Sequence, residues 1–126
     1  MKLEVVGEQK IQSQVADFIK EYLKKLADIQ IVEDSPKVYV HIIVRRLITN
    51  RGRKLGYVIS AASSEIIEMY VDGKYPYTVS DYNGLWMETG PDIRNLCFQC
   101  VTALNSGVFD MIRNTQADDI EIHSMQ

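Results

Sequence analysis

A chain of 126 residues fits one domain and is long enough to bury a core without disulfide or metal staples. With 46% apolar and 25% charged residues it has the balance of a globular protein, which excludes a disordered chain. No apolar run approaches the ~18–20 residues of a bilayer span, and a net charge of −3 weighs against a general nucleic-acid binder.

That net charge conceals a segregation. Residues 37–54 hold Lys37, Arg45, Arg46, Arg51, Arg53 and Lys54 and no acid, a local charge of +6. Residues 1–36 carry −2 and residues 55–126 carry −7. Such separation bears on association and steering rather than on fold.

The segment Met1–Gly7 lacks the long apolar stretch of a secretory signal. The chain as it stands reads as cytoplasmic, or as a cell-envelope protein if a signal segment has been removed. The first expected element is a helix over Glu8–Ala27. Ile11, Val15, Phe18, Ile19, Tyr22, Leu23 and Leu26 form one stripe at the 3.6-residue period. A short extended piece, Ile29–Val32, follows and ends before Pro36, which lacks a ladder donor.

Residues 37–49 read as the main strand, with Val38, Val40, Ile42 and Val44 on one face. Tyr39, His41, Ile43, Arg45 and Leu47 occupy the other, so both faces are largely apolar. Thr49–Lys54 is a polar turn in which Asn50 and Gly52 tolerate positive φ, which makes a hairpin with Leu55–Ser63. One face of that second strand, Gly56, Val58, Ser60 and Ala62, is nearly bare of bulk and invites close packing.

Residues 65–71 fit either a strand continuation or a short helix. Turn signals at Asp72-Gly73, Tyr75-Pro76 and Asn83-Gly84 make 72–88 an irregular connection, with a short strand around Leu85–Met87. Thr89-Gly90-Pro91-Asp92 opens a second helix: a threonine or glycine cap, proline in the first turn, and an early acid. Its stripe runs Ile93, Leu96, Cys97, Cys100, Val101, Leu104, Val108, Met111 and Ile112, with Gly107 inside it as a bend or close contact. Residues 116–126 are expected to be an acidic mobile tail beyond a single domain over 1–115.

The expected fold is therefore α+β: a small antiparallel sheet with a central hairpin, covered on one face by two amphipathic helices in helix–strand–strand–strand–helix order.

Chemistry is sparse. Cys97-x-x-Cys100 falls on the apolar side of a helical pattern, where a buried reduced pair is expected rather than a redox site. A zinc site would need two further thiol or imidazole ligands, and His41 and His123, both distant in sequence, are all that exist, so no metal and no cofactor is expected. Ser60–Ser64 has no nucleophile-elbow glycines, and His41 has no catalytic partner nearby in sequence.

Two surfaces stand out. Tyr75, Tyr77, Tyr82 and Trp86 concentrate aromatics in one connection, the commonest hot-spot material at protein interfaces, although the same rings would also roof a small core. Arg45, Arg46, Arg51, Arg53 and Lys54 form a basic hairpin suited to phosphates, to an acidic protein, or simply to keeping an edge soluble.

Thr89-Gly90-Pro91-Asp92-Ile93-Arg94-Asn95-Leu96-Cys97, with the amphipathic helix after it, resembles the closing helix of a group of small uncharacterised bacterial proteins. In layout the whole chain is similar to small α+β domains of exported envelope lipoproteins, of the curli-secretion and peptidoglycan-synthase-activator types. That resemblance implies binding to other proteins and supplies no catalytic residues.

The leading expectation is a non-enzymatic binding or assembly module that makes protein–protein contacts, as a homodimer or with a protein partner. The aromatic residues Tyr75, Tyr77, Tyr82 and Trp86 are its candidate contacts. The alternatives are nucleic-acid or polyanion binding through hairpin 45–54, and an enzyme with a dispersed site around His41.

Overall fold

The computed structural model describes residues 1–33, 36–71, 73 and 75–114, and of 66–71 and 75–84 the backbone alone. The expected acidic tail, 116–126, lies outside the described residues. The observed architecture is the expected α+β one, with a four-stranded sheet and two helices. Its element order gains a strand at the start.

That strand is β1 (Lys2–Val6), in a segment to which side-chain periodicity assigns nothing. The chain then turns at Gly7 into α1 (Gln9–Leu23). A Cβ on Gly7 would lie 2.6 Å from Val44 Cγ1, so glycine lets this turn pass close to the next strand. Ile11, Val15, Ile19 and Leu23 recur every four residues and are all buried. Regular helix stops four residues short of Ala27. Beyond it, Lys25 N–H donates to the Tyr22 carbonyl and Leu26 N–H to that of Leu23, the tight i to i−3 bonds of a closing turn. Ile29–Val32 joins no ladder, although Val32 N–H donates to the Met1 carbonyl at 2.8 Å.

Strand β2 (Val38–Ile48) runs parallel to β1, with Leu3 opposite Val40 and Val5 opposite Ile42. Parallel neighbours need a long crossover, and α1 provides it. The sheet is consequently mixed rather than wholly antiparallel. The turn Thr49–Arg53 closes as expected: Gly52 has φ +80, and Thr49 N–H donates to the Arg53 carbonyl at 2.9 Å.

Strand β3 (Lys54–Val71) extends through the ambiguous stretch 65–71 and pairs antiparallel with β4 (Tyr75–Gly90). The irregular connection expected over 72–88 is thus a correction: nearly all of it is strand. Its turn signals have other uses. Gly73, at φ +69, sits in the hairpin turn itself. Pro76 stands near the start of an edge strand, where a missing ladder donor is tolerated. Asn83 is the extra residue of a bulge, since Ser63 faces Gly84 while Ser64 faces Tyr82. Sheet order is β1-β2-β3-β4. Because β2 begins opposite Glu65, the pairs from Ile66–Ser80 to Val71–Tyr75 continue as a two-stranded ribbon beyond the four-stranded body.

The second helix, α2 (Ile93–Leu104), is capped by Asp92, not by Thr89 or Gly90. The Asp92 carboxylate accepts from the backbone N–H of Arg94 at 3.0 Å and of Asn95 at 3.3 Å, and Pro91 precedes the cap. A π turn over Asn105–Phe109 then adds a residue to the helical cycle. That shift rotates Phe109 into the core at 2% exposure and leaves Met111, expected in the stripe, 44% exposed. Gly107, inside the turn, is the residue at which a bend is expected.

One core results. Val40, Ile42, Val44 and Ile59 meet Val15, Ile19 and Leu23 from α1, with Leu96, Cys97, Cys100 and Leu104 from α2. Arg94 trims the rim between the helices, donating to Tyr22 Oη at 3.1 Å and to Glu21 at 3.2 Å. Arg113 grips Asp28 with Nε at 2.5 Å and Nη2 at 2.8 Å, while its Nη1 reaches Asn105 and Asp110. Among the described residues no helix is long and apolar enough to cross a membrane.

Candidate functional site

Strand alternation divides the sheet into a covered face and an open one. Rows Leu3–Val40–Ser63 and Val5–Ile42–Ala61–Trp86 lie under the helices. Rows Glu4–His41–Ala62–Leu85, Val6–Ile43–Ser60–Met87 and Arg45–Val58–Thr89 lie on the other side. On that open side the small side chains of Ser60 and Ala62 form the floor of a trough. Ile43, at 36% exposure, walls it on β2, and Leu85 and Met87, at 70% and 66%, wall it on β4. The bare strip on β3 is the one visible in the sequence. Among the described residues no helix lies on it.

The four aromatic candidates are not one cluster. Trp86 points to the covered side and, with Ala61, its neighbour Leu85, Ala103, Leu104, Gly107 and Val108, lines an apolar cleft of about 270 Å³ beside the π turn. Tyr82 stands at the bulge, opposite Ser64, and Tyr77 and Tyr75 stand on the ribbon, opposite Met69 and Val71. Tyr77 and Trp86 are eight β3 positions apart in register, about 26 Å at strand rise. Sequence reasoning missed Leu85 and Met87 as contact residues. The signal was available, because alternation around Trp86 puts both on the face opposite to it.

Of the basic residues, Arg51, Arg53 and Lys54 stand at the tip of the β2–β3 hairpin, and Arg45 lies three residues before the end of β2, in the open-face row with Val58 and Thr89. Arg51, Arg53 and Lys54 are exposed on the turn, and Arg45 is exposed on β2 with its Nη1 donating to the Val44 carbonyl at 3.5 Å. Arg46 is different: its buried Nε lies 3.3 Å from Glu8 Oε2, close enough to pair in charge, without forming a hydrogen bond. Arg46, Lys54, Tyr57 and Pro91 border a shallow cleft of about 300 Å³. Gly56 shapes its floor at φ +132, where a Cβ would lie 2.5 Å from the Gly90 carbonyl oxygen.

His41 lies on the open face, outside both clefts. Its Nδ1 is 3.6 Å from Glu4 Oε2, and the Tyr39 hydroxyl donates to the same carboxylate. That bond to an acceptor carboxylate pushes the Tyr39 phenol above its ordinary value. Opposite His41 in the ladder stands Ala62, which supplies neither hydroxyl nor thiol. Among the described residues no three histidine, cysteine or carboxylate side chains gather as a metal site would require. Cys97 and Cys100 are free and buried; burial, aided by nearby Asp92 for the first and Cys97 for the second, pushes both thiols up to about 12.

No family model and no curated protein matches the chain. Among solved structures it aligns with the rare lipoprotein B from Shewanella oneidensis over 98% of this chain and 99% of that one, at 10% identity and a TM-score of 0.29. A likeness that slight is a weak resemblance to a lipoprotein structure.

Proposed function

We propose that this chain is a non-enzymatic assembly module that makes protein–protein contacts through the open face of its sheet, a second copy being its simplest partner. The observation that carries this reading is the trough: an apolar-walled strip, floored by Ser60 and Ala62, on the side of the sheet away from both helices. Exposed apolar surface of this contiguous kind marks interaction sites on otherwise soluble folds.

Size sharpens the proposal. Four strands about 4.8 Å apart, with rows about 3.3 Å apart, give the body's open face a footprint of roughly a few hundred Å². A stable interface needs about 800 Å² per partner. The contact therefore has to extend along the β3–β4 ribbon, whose sequence includes Tyr70, Tyr75 and Tyr77 and which, as a two-stranded element, is marginal alone.

Light scattering across the micromolar range tests this. The expected result is a mass that rises toward twice the monomer value with concentration, and that falls back in a Leu85→Lys, Tyr77→Lys variant with unchanged circular dichroism. A monomer mass for the native chain at every concentration and salt level would retire the self-association reading.

A further inference from the structure

We propose that the tip of the β2–β3 hairpin is a docking element for the surface of an anionic phospholipid bilayer. Three cations stand there, Arg51, Arg53 and Lys54, and among the described residues none of them pairs with an acid. Elsewhere the chain does neutralise its arginines, Arg94 with Glu21 and Arg113 with Asp28 and Asp110. The tip thus keeps its charge available in a protein with an excess of acids. With +6 in residues 37–54 and −3 in total, the rest of the chain carries −9. A negative surface attracts the tip and repels the body, which fixes a single orientation.

The choice of a bilayer over a nucleic acid rests on the aliphatic side chains. Ile48 and Leu55, immediately flanking the turn, are each 53% exposed among those cations. Aliphatic side chains gain free energy at the boundary between headgroups and acyl chains and gain little against a phosphate backbone. Stacking on bases would call for exposed aromatics, and the nearest one, Tyr57, is half-buried. This surface lies at the hairpin tip, apart from the trough, and does not depend on the assembly reading.

The test is co-sedimentation of the full chain with vesicles of phosphatidylglycerol and phosphatidylcholine, and with vesicles of phosphatidylcholine alone. Binding to the first at low salt, absent from the second and lost at high salt, is the expected result. Arg51→Ala with Arg53→Ala should weaken it about 25-fold, at about fivefold per charge. Ile48→Ser with Leu55→Ser should weaken it about tenfold while leaving the charge unchanged. All four side chains are exposed, and circular dichroism of each variant checks the fold. No binding to phosphatidylglycerol vesicles at low salt would overturn the proposal. So would equal binding to a single-stranded oligonucleotide together with indifference to the aliphatic pair, which would mark a general polyanion site.

Discussion

Ile42 and Ile43 are neighbours on one strand with the same side chain, yet Ile42 is fully buried and Ile43 is 36% exposed. The first points under α1 and α2 and the second into the trough, so among the described residues the sheet has two apolar faces and one cover. In an antiparallel hairpin one solvated face is ordinarily polar. Here β2 places Tyr39, Ile43 and Leu47 on it, while β4 adds Leu85 and Met87. The covered face carries the core, and among the described residues nothing packs on the apolar side chains of the open face.

The largest expected contrast is between those two isoleucines. Ile42→Ala should cost about 3–4 kcal/mol by leaving a cavity that a dense core cannot close. Ile43→Ala should cost under about 1 kcal/mol in the monomer and act mainly on association. Urea midpoints of the two variants measure this directly. Equal losses would show that the open face is sealed in the folded chain.

Leu23→Ala and Leu104→Ala probe the cover itself, each expected to cost about 2–4 kcal/mol. Both are buried, at 1% and 4% exposure, on the helix faces that roof the sheet. Unchanged denaturant midpoints for either would break the assignment of that face.

How far these features can be read from sequence depends on whether one period dominates. The α1 stripe, the basic turn and the alternation of β2 are legible because Ile11–Leu23 repeats every four residues and Val38–Val44 every two. β1 is not, because the alternation of Lys2 and Glu4 with Leu3 and Val5 covers too few residues to stand out, and its parallel pairing is fixed only by the distant strand it meets. β4 was obscured by Pro76 and Asn83-Gly84, residues that break a central strand but are accommodated by an edge and a bulge. Phe109 was hidden by the one-residue phase change of the π turn. As for the sites, the basic residues are nearly contiguous in sequence, and Arg51, Arg53 and Lys54 stay together at the turn, while Arg46 turns toward Glu8 and Arg45 lies on the open face. The aromatic group is spread out because a strand sets its residues apart along its length, where a loop would have gathered them.

Cys97 and Cys100 sharpen the contrast chemically. With both thiols pushed up to about 12, the thiolate at neutral pH is about one part in 10⁵, and neither sulfur reaches solvent. A thiol reagent should leave both unmodified in native buffer and label both together on unfolding. Rapid native labelling of either would mean that the helix cover opens far more readily than its packing implies.

The smallest effect expected is in the pH dependence, and the two faces should show it at opposite ends of the scale. On the helix side, the hydrogen bonds from Arg113 hold the Asp28 carboxyl below its ordinary 3.8. A group depressed by folding contributes stability that is present above 3.8 and lost as pH falls through its lower folded value. On the open face, Glu4 holds the Tyr39 phenol above its ordinary 10.0. A group raised by folding contributes stability that is present below 10.0 and lost as pH rises through its higher folded value. Both groups are solvent-exposed, so salt and water screen each contribution and the shifts in midpoint will be small. Their direction is the test. The stability difference between wild type and Asp28→Asn should vanish in acid while persisting at alkaline pH, whereas that for Tyr39→Phe should be present at neutral pH and vanish as pH rises through the alkaline range. A Tyr39→Phe difference that persisted at alkaline pH would show that the bond to Glu4 adds nothing to the stability of the open face.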